Sequence, residues 1–256
     1  MTNPADLDDL LLYLSAPHPC GYFPDRLATT LIVDPQADMS SALYSQLSEQ
    51  GFRRSGNSVY RPHCLHCQAC IPCRLDVHAF APTRGQRRIW NKNRDLVARS
   101  TYQPDLAEHH ALFQRYIQAR HAGGAMDAPE ENPALEFLTS RWSDTEFHEW
   151  RLDDTLIAAA VTDRLEDGLS AVYTYFAPEQ QARSLGVYAI LREIHLAAER
   201  QLTWLYLGYW IRDCAKMSYK SQYQPLQILQ HNHWQDFAHF PFAKEASGAV
   251  DNPSER

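Results

Sequence analysis

Residues 169–176, Leu-Ser-Ala-Val-Tyr-Thr-Tyr-Phe, form the stretch of sequence that decides the fold. Valine, threonine and aromatic residues dominate this stretch, which predicts a β-strand. A polar loop at 178–184 follows it, and then apolar positions recur at helical spacing over Val187–Arg200. Similar strand patterns occur on both sides, at Phe147–Leu152, Leu156–Thr162 and Thr203–Tyr209.

The order of these elements characterises the second part of the chain, residues 104–243. Three strands, a loop, a helix and a fourth strand follow one another, as in an acetyltransferase-like (GNAT) domain, and other α+β folds share this order. Residues 183–186, Arg-Ser-Leu-Gly, lie where GNAT enzymes carry the loop whose backbone N–H groups receive the pyrophosphate of coenzyme A. Tyr188 stands where that loop needs a second small residue. We therefore expect no coenzyme A, and an acyl group delivered by another carrier remains open.

The first part of the chain, residues 1–103, predicts a small α+β module. Leu31–Val33 is an apolar run that stops at an Asp-Pro pair, as strands do. Ser40–Gln50 has one helical apolar face with Ser40 as N-cap, and residues 55–57 predict a hairpin turn. The predicted fold class is α+β, with this cysteine-containing module ahead of the GNAT-like domain. Residues 244–256 are polar and predict a disordered tail.

A run of cysteines lies on a predicted loop of the module. Residues 61–74 contain four cysteines at three-residue intervals: Cys64, Cys67, Cys70 and Cys73. Thiolates at such spacing can converge on one zinc ion or iron–sulfur cluster, and a further ligand often comes from elsewhere in the chain. Cys20 is the candidate for that ligand. The alternative is a set of reduced thiols packed as small hydrophobes.

A basic stripe follows the cysteines. Residues 84–99 contain six basic residues and one acid, although the whole chain carries a net charge of −7. On a helix these basic residues would occupy adjoining faces, with Trp90 among them, and such a surface suits RNA phosphates and base stacking. A solvated helix face is the alternative. The candidate RNA-binding residues are Arg84, Arg87, Arg88, Lys92 and Arg94.

Two features of the sequence indicate the cellular compartment of the protein. No apolar stretch approaches the roughly 20 residues that cross a bilayer. The acidic start of the chain differs from the positive n-region of a signal peptide. We therefore expect a cytoplasmic protein that does not bind membranes, with its thiols reduced.

Six segments resemble the signatures of the aminoacyl-tRNA–protein transferases of the N-degron pathway, over residues 10–240. They are His18–Tyr22, Gly51–Asn57, Tyr60–Cys64, Arg183–Gly186, Tyr206–Ile211 and Cys214–Lys220. The cysteine layout is most similar to the bacterial branch of this family, from which Cys73 departs as an extra cysteine. The resemblance implies transfer of leucine from leucyl-tRNA to proteins beginning with Asp or Glu, which marks them for degradation. Arginine transfer, the activity of the eukaryotic branch, is the alternative.

The resemblance also suggests roles for residues. An aminoacyl ester is already activated, so the protein has to position it and accept a neutral amine. An acidic acceptor needs a cation, for which Arg183, Lys216 and Lys220 are candidates. Lys216 and Lys220 are predicted to share one helical face with Tyr219. The candidate catalytic residues are Tyr175, Asp213 and Tyr219, while water or the ribose hydroxyl of the tRNA could also carry the proton. The implied metal ligands are Cys20, Cys64, Cys67 and Cys70.

Two other classes of function stay open at this stage. One is a coenzyme A-dependent acetyltransferase, which Tyr188 disfavours. The other is a non-catalytic, metal-containing RNA-binding protein, which the acyl-transfer signatures of the C-terminal part disfavour.

Overall fold

The computed structural model describes Leu7, residues 10–120 and residues 136–240. The predicted tail at 244–256 lies outside these residues. So do residues 123–133, whose glycines and prolines predict a break between helices. Within the described residues, no helix is both long enough and apolar enough to cross a membrane.

The N-terminal residues form a small antiparallel sheet. Its described strands run in the order β1-β4-β6-β5, and β2 and β3 form a separate two-stranded ribbon. The strands are β1 (Leu12–Leu14), β2 (His18–Pro19), β3 (Leu27–Ala28), β4 (Thr30–Val33), β5 (Arg53–Ser55) and β6 (Ser58–Pro62). Helix α1 (Ser41–Glu49) begins after the predicted N-cap Ser40, whose Oγ accepts from the Leu43 N–H at 3.2 Å.

A second, larger sheet dominates the described part of the chain. Its eight strands run in the order β14-β13-β7-β12-β11-β10-β9-β8. They are β7 (Ile71–Asp76), β8 (Val97–Thr101), β9 (Asp144–Leu152), β10 (Thr155–Arg164), β11 (Gly168–Phe176), β12 (Trp204–Trp210), β13 (Leu226–Gln230) and β14 (His233–Asp236). The domain boundary at residue 103 stays a prediction. Strands β7 and β8 lie before residue 103 in the sequence, and both belong to the large sheet.

Helices cover the large sheet. Helix α3 packs against β10 and β11, α4 packs against β11 and β12, and α2 lies on α4. The helices are α2 (Arg84–Lys92), α3 (Leu106–Arg120), α4 (Leu185–Glu199) and α5 (Ala215–Ser218). Short 3₁₀ turns cover Glu136–Leu138, Pro178–Arg183, Tyr219–Gln222 and Phe237–His239.

Most predicted elements of the second part are confirmed. The three strands, the helix and the fourth strand appear in the expected order as β9, β10, β11, α4 and β12. The sequence of residues 135–142 predicts a further helix, and this prediction is wrong: from Glu136 onward the structure has one 3₁₀ turn and then irregular chain before β9. The mixed α and β composition of the fold is likewise as predicted.

The sheet opens between β11 and β12. These strands pair in parallel over three residues only, and the last pair is Ser170 with Tyr206. Gly168 is required where they meet, because a Cβ there would lie 2.4 Å from the Trp204 carbonyl oxygen. Beyond Ser170, four consecutive residues of β11, Ala171–Thr174, are partly exposed although the strand is central in the sheet. We call the opening between Ala171–Thr174 and Leu207–Trp210 the β11–β12 slot.

Candidate functional site

Two cations lie against one glycine of β12 beside the slot. The register of β12 against β7 shifts between Tyr206 and Gly208, and Gly208 has φ +80°, a conformation that favours glycine. A Cβ on Gly208 would lie 3.6 Å from Arg53 Nε and 3.8 Å from Lys220 Nζ. The bulge of β12 therefore brings together side chains from β5 and from the turn after α5.

Arg53 spans the point where the two strands part. Its Nη1 donates to Ser170 Oγ at 2.8 Å and to the Tyr206 carbonyl at 3.4 Å, while Nη2 donates to the Ala171 carbonyl. Within the described residues, none of these partners is a carboxylate. The positive charge of Arg53 is thus fixed in place without an ion pair.

Lys220 is the second cation, and it is 5% exposed. Its Nζ donates to the Tyr209 carbonyl at 2.6 Å. Burial lowers the pKa of Lys220 to about 8; the Cys73 thiol opposes this shift and the charge of Arg53 adds to it. Among the described residues it forms no ion pair with a carboxylate.

A buried acid on α4 interacts electrostatically with Arg53. Glu193 is 1% exposed, and neither of its carboxyl oxygens has a hydrogen-bond partner within the described part of the chain. Burial raises the pKa of Glu193 to about 8, and the positive charge of Arg53 opposes that shift. A carboxyl group in this state is mostly protonated at neutral pH.

The candidates around α5 take different positions from those expected. Helix α5 has only four residues and continues as a 3₁₀ turn, so Lys216 is exposed while Lys220 is buried. The prediction that they share a face is therefore wrong. Tyr219 is 37% exposed, and burial together with the charge of Glu193 raises its pKa. Asp213 is exposed just ahead of α5.

Tyr175 belongs to a buried network on the α3 side of β11. Its side chain is fully buried, and its hydroxyl shares a hydrogen bond with His109 Nδ1. His109 Nε2 lies 3.2 Å from Glu149 Oε1, and Arg151 donates to the same carboxylate at 3.0 Å. This network links α3, β9 and β11.

Arg183 is already paired in the structure. Its guanidinium donates to both oxygens of Asp95, at 2.9 and 2.8 Å, and its Nε donates to Gln180 at 3.1 Å. The hydrogen bond from Arg183 holds the pKa of the Asp95 carboxyl below its usual value. The pair connects the loop before α4 to the residues after α2.

The basic stripe lies largely on one helix. Thr83 and Gln86 form a capping box at the start of α2. The exposed basic residues of the stripe are Arg84, Arg87, Arg88 and Lys92 on α2, Arg94 beyond its end and Arg99 in β8. Trp90 instead packs on α4, with its ring 5.8 Å from Tyr188 and 5.4 Å from His195. Its ring is therefore engaged with α4, whereas its position in the sequence indicated stacking on an RNA base.

The four candidate metal ligands line one cavity. The cavity has a volume of about 370 Å³, and its walls include Cys20, Cys64, Cys67 and Cys70. All six cysteines lie in the described part of the chain and are free thiols. Cys73 is instead 1% exposed in β7 and is absent from the cavity wall.

The cysteine side chains do not form a finished metal geometry. Across residues 10–120 and 136–240, no three Cys, His, Asp or Glu side chains are grouped closely enough to hold a metal ion. Burial and the neighbouring thiols raise the pKa of Cys70 to about 12, and Arg26 donates to Cys67 Sγ at 3.5 Å. Cysteine thiolates are suitable ligands for zinc or an iron–sulfur cluster. In the structure, however, the four cysteines are neighbouring thiols and do not form a ligand set.

Two residues of interest, Arg53 and Glu193, are not among the site residues predicted from the sequence. Arg53 lies inside the segment Gly51–Asn57, yet its position at the slot depends on how β5 meets the large sheet. Glu193 had a local signal. Ala189, Ile190 and Ala197 lie three and four residues from it and are buried, so a charged residue stood on an apolar helix face.

Two sequence profiles match this chain. They are described as the N terminus and the C terminus of arginine-tRNA-protein transferase, and they match residues 18–88 and 108–230. The class is therefore that of enzymes which transfer an aminoacyl group. The chain belongs to the arginine-tRNA–protein transferase family, and its resemblance to that family is confirmed.

Three curated relatives of this chain carry the name aspartate/glutamate leucyltransferase. The relative from Hahella chejuensis is 50% identical over 230 residues, which is 90% of this chain and 98% of that protein. The relative from Saccharophagus degradans is 46% identical over 91% of this chain and 99% of that protein. The relative from Teredinibacter turnerae is 49% identical over 89% of this chain and 94% of that protein.

Proposed function

We propose that this chain transfers leucine from leucyl-tRNA to the N-terminal Asp or Glu of acceptor proteins, which marks them for degradation. The observation that carries this proposal is the similarity, 46 to 50% identity over nearly the full length, to proteins named aspartate/glutamate leucyltransferase. The two cations at the slot fit an acidic acceptor.

The β11–β12 slot is the place proposed for the transfer, by analogy with a GNAT-like domain. Parallel strands that part after three residue pairs leave room for an acyl group between them. Tyr188, at the position that disfavours coenzyme A, is 3% exposed and packs against Trp90 and Trp150. A tRNA ester as the acyl carrier agrees with this packing.

The acceptor's acidic side chain is proposed to bind Lys220 and Arg53. Both are fixed beside the slot, and neither has a carboxylate partner among the described residues. A buried cation is stabilised by an anion that reaches it, and the planar fork of Arg suits a carboxylate. Of the earlier candidates, Arg183 is already paired with Asp95, and Lys216 is exposed at a four-residue helix. Lys220 is therefore the favoured candidate of the three.

The tRNA is proposed to lie along α2. The exposed basic residues of the stripe follow one helix whose opposite side packs on α4. Binding of a nucleic-acid backbone depends mainly on cations that neutralise its phosphates, so this basic face suits the tRNA backbone. Proton transfer by Tyr175, Asp213 or Tyr219 remains a prediction, and the charge of Glu193 raises the pKa of Tyr219.

We also propose that Cys20, Cys64, Cys67 and Cys70 hold zinc or an iron–sulfur cluster. Their common cavity wall supports this, because it arranges the four thiols around one space. A bound metal would tie the β2–β3 ribbon to residues 64–70 and stabilise the module.

The proposed reaction is tested by offering purified protein three donors with a peptide that begins with Asp. The donors are leucyl-tRNA, arginyl-tRNA and acetyl-coenzyme A, and mass spectrometry reads the product. Leucine addition is expected. Arginine addition would instead favour arginyl transfer, acetylation would favour a coenzyme A enzyme, and tRNA binding without any product would favour a non-catalytic protein.

A further inference from the structure

The carboxyl group of Glu193 lacks the partner that a buried carboxyl needs. Both oxygens are without a hydrogen bond in the described part of the chain, and the residue is 1% exposed. Buried polar groups in native proteins are nearly always paired, because leaving one unpaired costs about 1–3 kcal/mol. A protein that keeps such a group has a use for it, and an arriving ligand can supply the missing donor.

The groups that interact electrostatically with Glu193 come from β5 and from the 3₁₀ turn after α5 with the residue that follows it. Arg53 of β5 faces it with a positive charge, and the hydroxyls of Tyr219 and Tyr223 lie close enough for the charge of Glu193 to raise their pKa. Tyr219 is 37% exposed and directly precedes Lys220, whose Nζ lies 5.9 Å from the Tyr219 ring. The charge of Glu193 therefore acts on residues that lie next to Lys220 in the chain.

The charges around the slot match those of an acidic N-terminal residue. Such a residue carries an ammonium group and a carboxylate that are separated by two or three carbon atoms. The slot offers Arg53 and Lys220 as cations, and Glu193 is a buried acid whose charge interacts with that of Arg53. A carboxylate directed to the cations would leave the ammonium group to face Glu193.

We propose that Glu193 removes the proton from the α-ammonium group of the acceptor; this inference rests on the proposed function. The Glu193 carboxylate takes one N–H proton, and the freed nitrogen lone pair attacks the ester carbonyl carbon of leucyl-tRNA. A C–N bond forms and the C–O bond to the ribose breaks. A second N–H proton moves to the ribose oxygen as it leaves, and Glu193 returns its proton to water. One proton is released in each turnover.

The acid strength of Glu193 fits this step. An α-ammonium group has a pKa of about 7.7–8.0 in water, and burial raises the pKa of Glu193 to about 8. Proton transfer between groups of similar pKa near the working pH is close to balanced, which suits general base catalysis. A glutamate of ordinary pKa would be a far weaker base toward an ammonium group.

The test compares wild-type protein with Glu193→Gln, which keeps the shape and the neutral state of the side chain. Single-turnover leucine transfer to a peptide that begins with Asp is measured from pH 6.5 to pH 9. At pH 7 the variant is expected to be about 100-fold slower. Above pH 8 this ratio should fall, because the amine arrives already neutral and needs no base. Lys220 titrates in both proteins, so its effect cancels in the ratio.

Matched variants separate the proposed step from a structural role. Glu199→Gln changes an exposed acid on the same helix and should react at the wild-type rate. Glu193→Asp keeps the acid and should recover part of the rate lost in Glu193→Gln. A wild-type rate for Glu193→Gln, or a ratio that is constant with pH, would overturn the proposal. Absence of leucine transfer by the wild type is a different result, which refutes the proposed function and this inference with it.

Discussion

Arg53 Nη1 donates to Ser170 Oγ at 2.8 Å, at the last residue where β11 pairs with β12. The guanidinium therefore lies where the slot begins, and it also reaches the carbonyls of Tyr206 and Ala171. A strand of the small N-terminal sheet thus supplies a cation to the opening of the large sheet. These hydrogen bonds tie the small sheet to the large sheet at the slot.

The first prediction concerns this arginine. Arg53→Lys keeps the charge and removes the planar fork, so we expect the KM for a peptide beginning with Asp to rise about 10-fold or more. The affinity for leucyl-tRNA should be unchanged. Steady-state kinetics with the peptide concentration varied provide the measurement. Arg61→Lys, on the neighbouring strand β6, is the matched control and should keep the wild-type KM; equal effects of the two changes would remove Arg53 from the acceptor site.

The second prediction concerns the stability cost of Glu193. Because burial raises its pKa to about 8, the folded protein keeps a proton there that the unfolded chain loses above its ordinary pKa. The contribution of Glu193 to stability is present at low pH and is lost as pH rises toward 8. In Glu193→Gln this loss is absent, so the free energy of unfolding of the variant should exceed that of the wild type by on the order of a few kcal/mol at pH 8.

Urea unfolding at pH 5 and pH 8 gives the comparison. The advantage of Glu193→Gln should be small at pH 5 and larger at pH 8. Equal differences at both pH values would show that Glu193 titrates as an ordinary carboxyl.

The third prediction concerns the basic stripe. If Arg87, Arg88 and Arg94 contact tRNA phosphates, each change to Ala should weaken tRNA binding and lower the salt slope by about one counterion. Titrations with tRNA at several salt concentrations measure both quantities. Arg115→Ala is the control, because Arg115 is an exposed arginine of α3 that pairs with Glu179. It should leave the tRNA affinity and the salt slope unchanged. Wild-type slopes in all the stripe variants would make the stripe a solvated helix face.

The fourth prediction concerns the cysteines. Ligand geometry does not persist in an unfolded chain, so a bound metal stabilises the folded state. Cys20→Ser, Cys64→Ser, Cys67→Ser and Cys70→Ser should each lower the metal content and the thermal midpoint. Cys214→Ser, outside the cavity wall, should lower the metal content much less. Elemental analysis of anaerobically purified protein decides it: absence of zinc and iron would leave the thiols as structure only.

Local patterns were sufficient for much of the fold. The strands β9, β10 and β11 were predictable because β-branched and aromatic residues set their periodicity, and α4 because its apolar positions recur at helical spacing. The prediction that Lys216 and Lys220 share one helical face was wrong because α5 ends after four residues. No local signal in the sequence marks that end.

The site itself depends on contacts that are distant in sequence. Arg53 precedes Ser170 by 117 positions, and only the packing of β5 against the large sheet brings them together. The pairing of Arg183 with Asp95, at a separation of 88 positions, was hidden for the same reason. The residue types of one segment therefore identify candidate functional residues, but only the tertiary structure shows which of them are in contact.

The most direct test of the central claim uses leucyl-tRNA and four peptides that differ only in their first residue: Asp, Glu, Asn or Ala. Mass spectrometry of the products reports which peptide gains an amino acid and which amino acid it is. The account predicts leucine on the peptides that begin with Asp and Glu, and little addition to those that begin with Asn or Ala. Equal addition to all four peptides, or no leucine on any of them while arginyl-tRNA supplies arginine, would contradict it.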